Sequence, residues 1–153
     1  MRVSVLLHNV RSLYNVGAFY RTCDAAGVAK LYLSGFTGTP PSKQIAKTAL
    51  GSQESVPWEH ADAIAVIEQQ RASGYETAAV ETVPDAVDLF DWTPRFPVLL
   101  VFGHEVDGLP DEILHRCDTR VRIPMAGIKR SLNVATAGGV VLYELFRQER
   151  ARR

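Results

Sequence analysis

Arg122 to Glu144 reads RIPMAGIKRSLNVATAGGVVLYE. It sets a polar Ser131-Leu132-Asn133 step between a segment with strand character and a largely apolar helix. A helix that opens this way points its unpaired backbone N–H groups, and two polar side chains, at whatever occupies the preceding loop. The helix also holds small residues at Ala135, Ala137, Gly138 and Gly139, and each glycine costs about 1 kcal/mol of helix propensity against alanine. Close approach of another backbone, within the fold or across a dimer contact, is the expected compensation.

Working outward, apolar runs of strand length alternate with segments of helical period, the pattern of an α/β domain with a mostly parallel sheet flanked by helices. Strands are expected at Val3 to His8, Lys30 to Ser34, Glu76 to Glu81, Pro97 to Gly103 and Thr119 to Ile123, with a further short one within Gln53 to Trp58. Helices are expected at Val16 to Ala26, Ala61 to Ser73, Pro110 to Arg116 and Leu132 to Gln148. Gly35 to Lys43 (GFTGTPPSK) is rich in turn formers and reads as a loop.

The chain has 153 residues, 46% of them hydrophobic, which suits one domain with its own core. Seventeen basic and seventeen acidic residues cancel, which argues against strong non-specific nucleic-acid binding by the protein as a whole. The balance hides an asymmetry. Arg116, Arg120, Arg122, Lys129 and Arg130 gather before the last helix, and a tail at 147 to 153 is rich in arginine. Two cysteines without CxxC spacing, Cys23 and Cys117, fit free thiols in a reducing interior and argue against zinc. The apolar part of Met1 to His8 is too brief for a signal h-region, and no run reaches the roughly 20 apolar residues of a membrane span. A cytoplasmic protein with no membrane association is expected.

Two more segments carry candidate chemistry. In His8 to Gly27 (HNVRSLYNVGAFYRTCDAAG), Asn15 reads as a helix N-cap and Gly17 lets another backbone approach. Arg21 offers a donor fork suited to phosphate. In Pro97 to Leu109 (PVLLVFGHEVDGL), an apolar strand ends in Gly103-His104-Glu105. That puts a carboxylate at the carboxyl edge of the sheet, where open α/β folds bind ligands. Gly103 permits close approach of a ligand. The residue four after His104 is Gly108, so the zinc-binding HExxH pattern is incomplete. No GxGxxG joins the first strand to the first helix, which argues against nicotinamide binding.

In order and spacing, N-x-G-x-x-x-R (Asn15, Gly17, Arg21), G-x-E-x-x-G (Gly103, Glu105, Gly108), then I-P-M (Ile123 to Met125) and S-L-N (Ser131 to Asn133) resemble the SpoU/TrmH branch of the SPOUT RNA methyltransferases over essentially the whole chain. The resemblance implies a C-terminal deep trefoil knot, a homodimer with its active site at the interface, and S-adenosylmethionine held by the knot loops. Val80, Glu81, Gly103, Ile123, Met125, Ser131 and Leu132 would form the cofactor pocket. The implied reaction is methyl transfer to a ribose 2′-hydroxyl of RNA, without a metal. Arg21 would activate the hydroxyl, with Asn15, Glu105, Ser131 and Asn133 positioning it, the substrate and the donor. Arginine stays protonated in proteins, so binding the phosphate beside the target ribose is the preferred role for Arg21.

Nothing precedes the first strand, so the chain is expected to be a single catalytic domain with a short arginine-rich tail. RNA recognition would then fall to the dimer surface, the 35 to 43 loop, Lys129-Arg130 and the tail, helped by exposed aromatics such as Tyr14 or Tyr20. The first motif resembles that of the tRNA ribose guanosine-type members of the family, which implies tRNA as the substrate, with rRNA as the alternative. A catalytically silent knotted RNA-binding protein and a base-nitrogen methylase are the competing readings.

Overall fold

The computed structural model describes residues 1–152. In chain order the elements are β1 (Val3–His8), α1 (Leu13–Ala26), β2 (Lys30–Ser34), α2 (Lys43–Ala49), α3 (Ser52–Ser55), β3 (Trp58–His60), α4 (Ala63–Ala72), β4 (Glu76–Val80), β5 (Val87–Asp88), β6 (Val98–Phe102), α5 (Asp111–Arg116), β7 (Thr119–Arg122) and α6 (Val134–Ala151). The strands form one seven-stranded sheet in the order β3-β2-β1-β6-β4-β7-β5, and every pairing is parallel.

Continuous burial explains the central strands. All of β6 and all of β1 except His8 are buried, as expected when helices cover both faces of a parallel sheet. Strand alternation then splits the core. Val3, Val5 and Leu7 of β1 face Phe19, Tyr20 and Cys23 of α1 and Val141, Leu142 and Leu145 of α6. Leu6, Leu99 and Val101 face Val66 and Ile67 of α4 and Ile113 and Leu114 of α5.

Beta1 and β6 lie side by side although β2 to β5 separate them in the chain. Such a reversal of strand order opens a crevice at the carboxyl ends, the usual ligand site of an open α/β sheet. The loops after β1, β4, β6 and β7 all leave from that edge.

The expected strands and long helices are present, with ends shifted by at most three residues. Four short elements add to them. Lys43 begins α2 because Ser42 caps it, its side chain accepting from Ile45 N. The segment expected as a strand within 53 to 58 is instead α3 followed by β3. Val87–Asp88 adds the edge strand β5. The expected tail is the last turns of α6 up to Ala151, and Arg153 lies outside the described residues.

Two glycines show why their helices pack so closely. A Cβ on Gly17 would sit 2.1 Å from Thr48 Oγ1 and 2.3 Å from the Ile45 carbonyl oxygen, so α1 presses directly on α2. A Cβ on Gly138 would meet Phe19 Cε1 at 2.3 Å, whereas one on Gly139 would meet nothing within 4 Å. Packing inside the fold therefore accounts for Gly138 and not for Gly139.

Candidate active site

Glu105 ties the loops after β1 and β6 together. Its carboxylate accepts hydrogen bonds from Arg11 N at 2.9 Å, Ser12 N at 2.9 Å and Asn15 Nδ2 at 3.0 Å. Burial pushes its pKa up, but the N–H groups of Ser12 and Arg11 and the Asn15 amide together outweigh burial and hold it below the usual carboxylate value. A carboxylate so held is a permanent acceptor and a poor proton acceptor in catalysis. Its geometry is that of an anchor.

Asn133 brings in the loop after β7. Its Oδ1 caps α6 by accepting from Ala135 N at 2.9 Å and Thr136 N at 3.2 Å, and its Nδ2 donates to Asn15 Oδ1 at 3.3 Å. Asn15, Glu105 and Asn133 thus form one chain of hydrogen bonds that joins the first turn of α1, the loop after β6 and the start of α6. The expected cap assignments change accordingly. Ser12 caps α1, accepting from Asn15 N at 3.2 Å, and Asn15 sits in the first turn with its amide free to reach Glu105 and Asn133.

Beside this chain lies a cavity of about 100 Å³ whose lining includes all seven residues expected to hold the cofactor: Val80, Glu81, Gly103, Ile123, Met125, Ser131 and Leu132. Thr82, Phe102, His104, Glu105, Arg122, Arg130, Val134 and Ala137 complete it. It shares Thr82, Arg122, Ile123, Met125 and Arg130 with a wider cleft of about 580 Å³ under Gly127, Ile128 and Lys129. From Met125 to Asn133 no backbone N–H donates to another protein atom among the described residues. Those donors face solvent or a ligand.

Two of the expected lining residues do different work. Glu81 Oε2 accepts from Leu109 N at 2.9 Å and Oε1 from Thr82 N at 3.1 Å, so its carboxylate braces the loop after β6. A Cβ on Gly103 would lie 2.7 Å from the Gly108 carbonyl carbon and 2.8 Å from Leu109 N. The close approach that Gly103 permits is therefore by the chain's own loop.

Arg21 stands apart. It lines a surface cleft with Asp24, Leu50, Gly51 and Ser52 and does not reach the cavity of its own chain. Of the expected exposed aromatics, Tyr14 is exposed while Tyr20 is fully buried, its phenol pKa pushed upward by burial. The basic cluster is largely neutralised: Arg116 pairs with Glu68, Arg120 with Asp85 and Arg122 with Asp88. Lys129 and Arg130 have no such partner among the described residues. In the tail, Arg147 pairs with Glu144, and Arg152 stacks over Phe96 and donates to the Pro94 carbonyl at 2.9 Å.

Sequence reading passed over Thr82, His104 and Arg130 as lining residues, although His104 sits inside the quoted G-x-E motif. Its Nδ1 accepts from Val106 N at 3.1 Å and Asp107 N at 3.0 Å, which shapes the loop that presents Glu105.

The SpoU rRNA methylase family model matches residues 2–143. The chain belongs to this family. The SpoU-family chain is 34% identical over 147 residues to the tRNA (guanosine(18)-2′-O)-methyltransferase of Thermus thermophilus, covering 95% of its own length and 75% of the relative. It is 32% identical over 151 residues to a 23S rRNA (guanosine-2′-O-)-methyltransferase of Vibrio parahaemolyticus, of which it covers 60%. The crystal structure of an AdoMet-bound rRNA methyltransferase from Sinorhizobium meliloti superposes with a TM-score of 0.89 at 36% identity, covering 95% of this chain and 56% of that one. The SpoU-family chain thus spans between about half and three quarters of these proteins. No helix among the described residues is long and apolar enough to cross a membrane.

Proposed function

We propose that this chain transfers a methyl group from S-adenosylmethionine to a ribose 2′-hydroxyl of RNA, with tRNA favoured over rRNA, and that it works as a cytoplasmic homodimer of a single knotted domain without a metal. The observation that carries the reading is the cavity bordered by the Asn15-Glu105-Asn133 chain of hydrogen bonds, at the strand-order reversal between β1 and β6. The lining suits the cofactor. Val80, Phe102, Ile123, Leu132 and Val134 give apolar walls for a nucleobase, and the free N–H groups of the loop after β7 suit its polar edges.

When bound, S-adenosylmethionine supplies an electrophilic methyl group on a sulfonium. The protein then has to orient a ribose oxygen and stabilise the charge that develops on it. Glu105, held ionised by three N–H donors, fixes Asn15 and the loop after β1. Ser131 has an exposed hydroxyl on the cavity wall, free to meet the cofactor or the ribose. Arg21 binds the phosphate beside the target ribose and stabilises the charge that develops on the hydroxyl oxygen as the new carbon–oxygen bond forms and the carbon–sulfur bond breaks, with the hydroxyl proton passing to solvent water and S-adenosylhomocysteine leaving. Since Arg21 does not reach the cavity of its own chain, it acts on the site of the second subunit.

Labelled S-adenosylmethionine and total RNA test the reading. Transfer of label into alkali-resistant linkages is expected, because a methylated 2′-oxygen cannot attack the adjacent phosphate. Labelled RNA that alkali still cleaves at the modified position indicates base methylation and refutes the ribose assignment. RNA binding without label transfer indicates the silent protein.

A further inference from the structure

Phe36 is an exposed apolar residue in a loop whose backbone is nevertheless firmly held. The residue is 61% exposed, yet its N–H donates to Asn9 Oδ1 at 3.0 Å. Asn9 occupies the left-handed region at φ 55, which is costly for a residue with a side chain, and Gly35 occupies it at φ 61. On the other side, buried Thr37 donates through Oγ1 to the Leu7 carbonyl at 3.1 Å and accepts from Val10 N at 3.0 Å. The loop after β2 is thereby clamped to the loop after β1. These bonds fix the backbone from which the Phe36 ring projects.

The ring stands edge-on to His104, with centroids 6.0 Å apart and planes at 80°. His104 lines the cavity and adjoins Glu105, so Phe36 marks its rim. Arg11, exposed and without an ion-pair partner among the described residues, belongs to the same loop whose N–H groups hold Glu105. A single exposed apolar residue is ordinary on a protein surface. A rigidly presented aromatic ring with an unpaired cation nearby, at the mouth of a ligand cavity, has the make-up of a single-stranded nucleic-acid contact.

We infer that Phe36 is a stacking platform for an unpaired base of the RNA substrate next to the ribose presented to the cavity, and that Arg11 takes an adjoining phosphate. The inference rests on the RNA methyl-transfer reading and adds a specificity-determining contact to it. His104 keeps the ring upright by its edge contact.

Steady-state kinetics on the RNA fraction that the unsubstituted protein methylates test this with Phe36→Ala, Phe36→Tyr and Arg11→Ala. Phe36→Ala is expected to raise the KM for RNA about tenfold, with the KM for S-adenosylmethionine and the melting temperature unchanged, and Phe36→Tyr to restore it. Arg11→Ala is expected to weaken RNA binding and lower its salt dependence by about one phosphate contact. Anisotropy of a fluorescent unmodified tRNA transcript gives a readout independent of turnover. If the unsubstituted protein transfers no methyl group but Phe36→Ala still weakens transcript binding, the methyl-transfer reading fails and the stacking contact stands. A parental KM and parental binding in Phe36→Ala overturn the contact alone, as does a change of oligomeric state by light scattering, which assigns this face to a second copy of the chain.

Discussion

Asn133 Nδ2 donates to Asn15 Oδ1 at 3.3 Å across 118 residues of sequence, while Asn133 Oδ1 caps the helix that follows it. One side chain therefore both starts α6 and joins it to α1 beside the cavity. The two duties separate in Asn133→Asp, which keeps the capping oxygen and loses the donor. Its melting temperature is expected to match the parent, with methyl transfer lowered about tenfold for one lost hydrogen bond. Asn133→Ala loses both and is expected to cost about 1 kcal/mol of stability in denaturant titration as well. Equal losses of activity and stability in the Asp variant would mean that the contact with Asn15 has no separate role.

Glu105 predicts an acid-sensitive difference. Its folded-state pKa lies below the usual carboxylate value, so its contribution is fully present above the unfolded pKa and is lost as pH falls through the folded one. Glu105→Gln is expected to cost about 1 kcal/mol near neutral pH, because an amide replaces an acceptor facing N–H donors. The gap in melting temperature between parent and variant should begin to narrow as pH falls into the ordinary carboxylate range and close at more acidic pH. A gap that is independent of pH would show that the charge contributes nothing.

Glycines were legible as close approaches, but the partner was not. At Gly17 the approaching group is the backbone of α2, at Gly138 it is the Phe19 side chain rather than a backbone, and Gly103 makes room for Gly108 while also lining the cavity. Central strands were readable because burial on both faces leaves a continuous apolar run, as in Val98–Phe102. Val87–Asp88 was not, because two residues carry no period. Lys43–Ala49 has a capping serine and apolar residues at helical spacing, but the turn formers before it and Gly51 after it hid the helix. Motif spacing named Asn15, Glu105 and Asn133 without showing that they bond one another, since that pairing exists only once the sheet order joins β1 to β6. The cap went to Ser12 because Glu105 and Asn133 engage the Asn15 side chain.

Gly138 and Gly139 separate folding from self-association. Gly138→Ala drives a methyl into Phe19 and is expected to lower stability by about 1–3 kcal/mol at every protein concentration. Gly139→Ala meets open space and gains up to about 1 kcal/mol of helix propensity in the isolated chain. If α6 forms the dimer contact, that methyl also weakens self-association, raising the dissociation constant in sedimentation equilibrium. Unchanged association in Gly139→Ala would move the proposed contact away from this face of the helix.

Arg21 offers the sharpest separation of roles. Its side chain makes no hydrogen bond or ion pair among the described residues and lines a cleft distinct from the cavity, so Arg21→Ala is expected to change stability by less than about 0.5 kcal/mol. Methyl transfer should nevertheless be abolished, with affinity for S-adenosylmethionine within a few-fold of the parent. Mixing decides which subunit's site it serves. Ser131→Trp, on the cavity wall, blocks the site of its own chain and leaves Arg21 intact. Each variant alone is expected to be inactive. In a mixed dimer, the open cavity of the Arg21→Ala subunit faces the intact Arg21 of its Ser131→Trp partner, so activity returns if the arginine acts across the interface. If it acts within its own chain, neither subunit holds a complete site and the mixture stays silent.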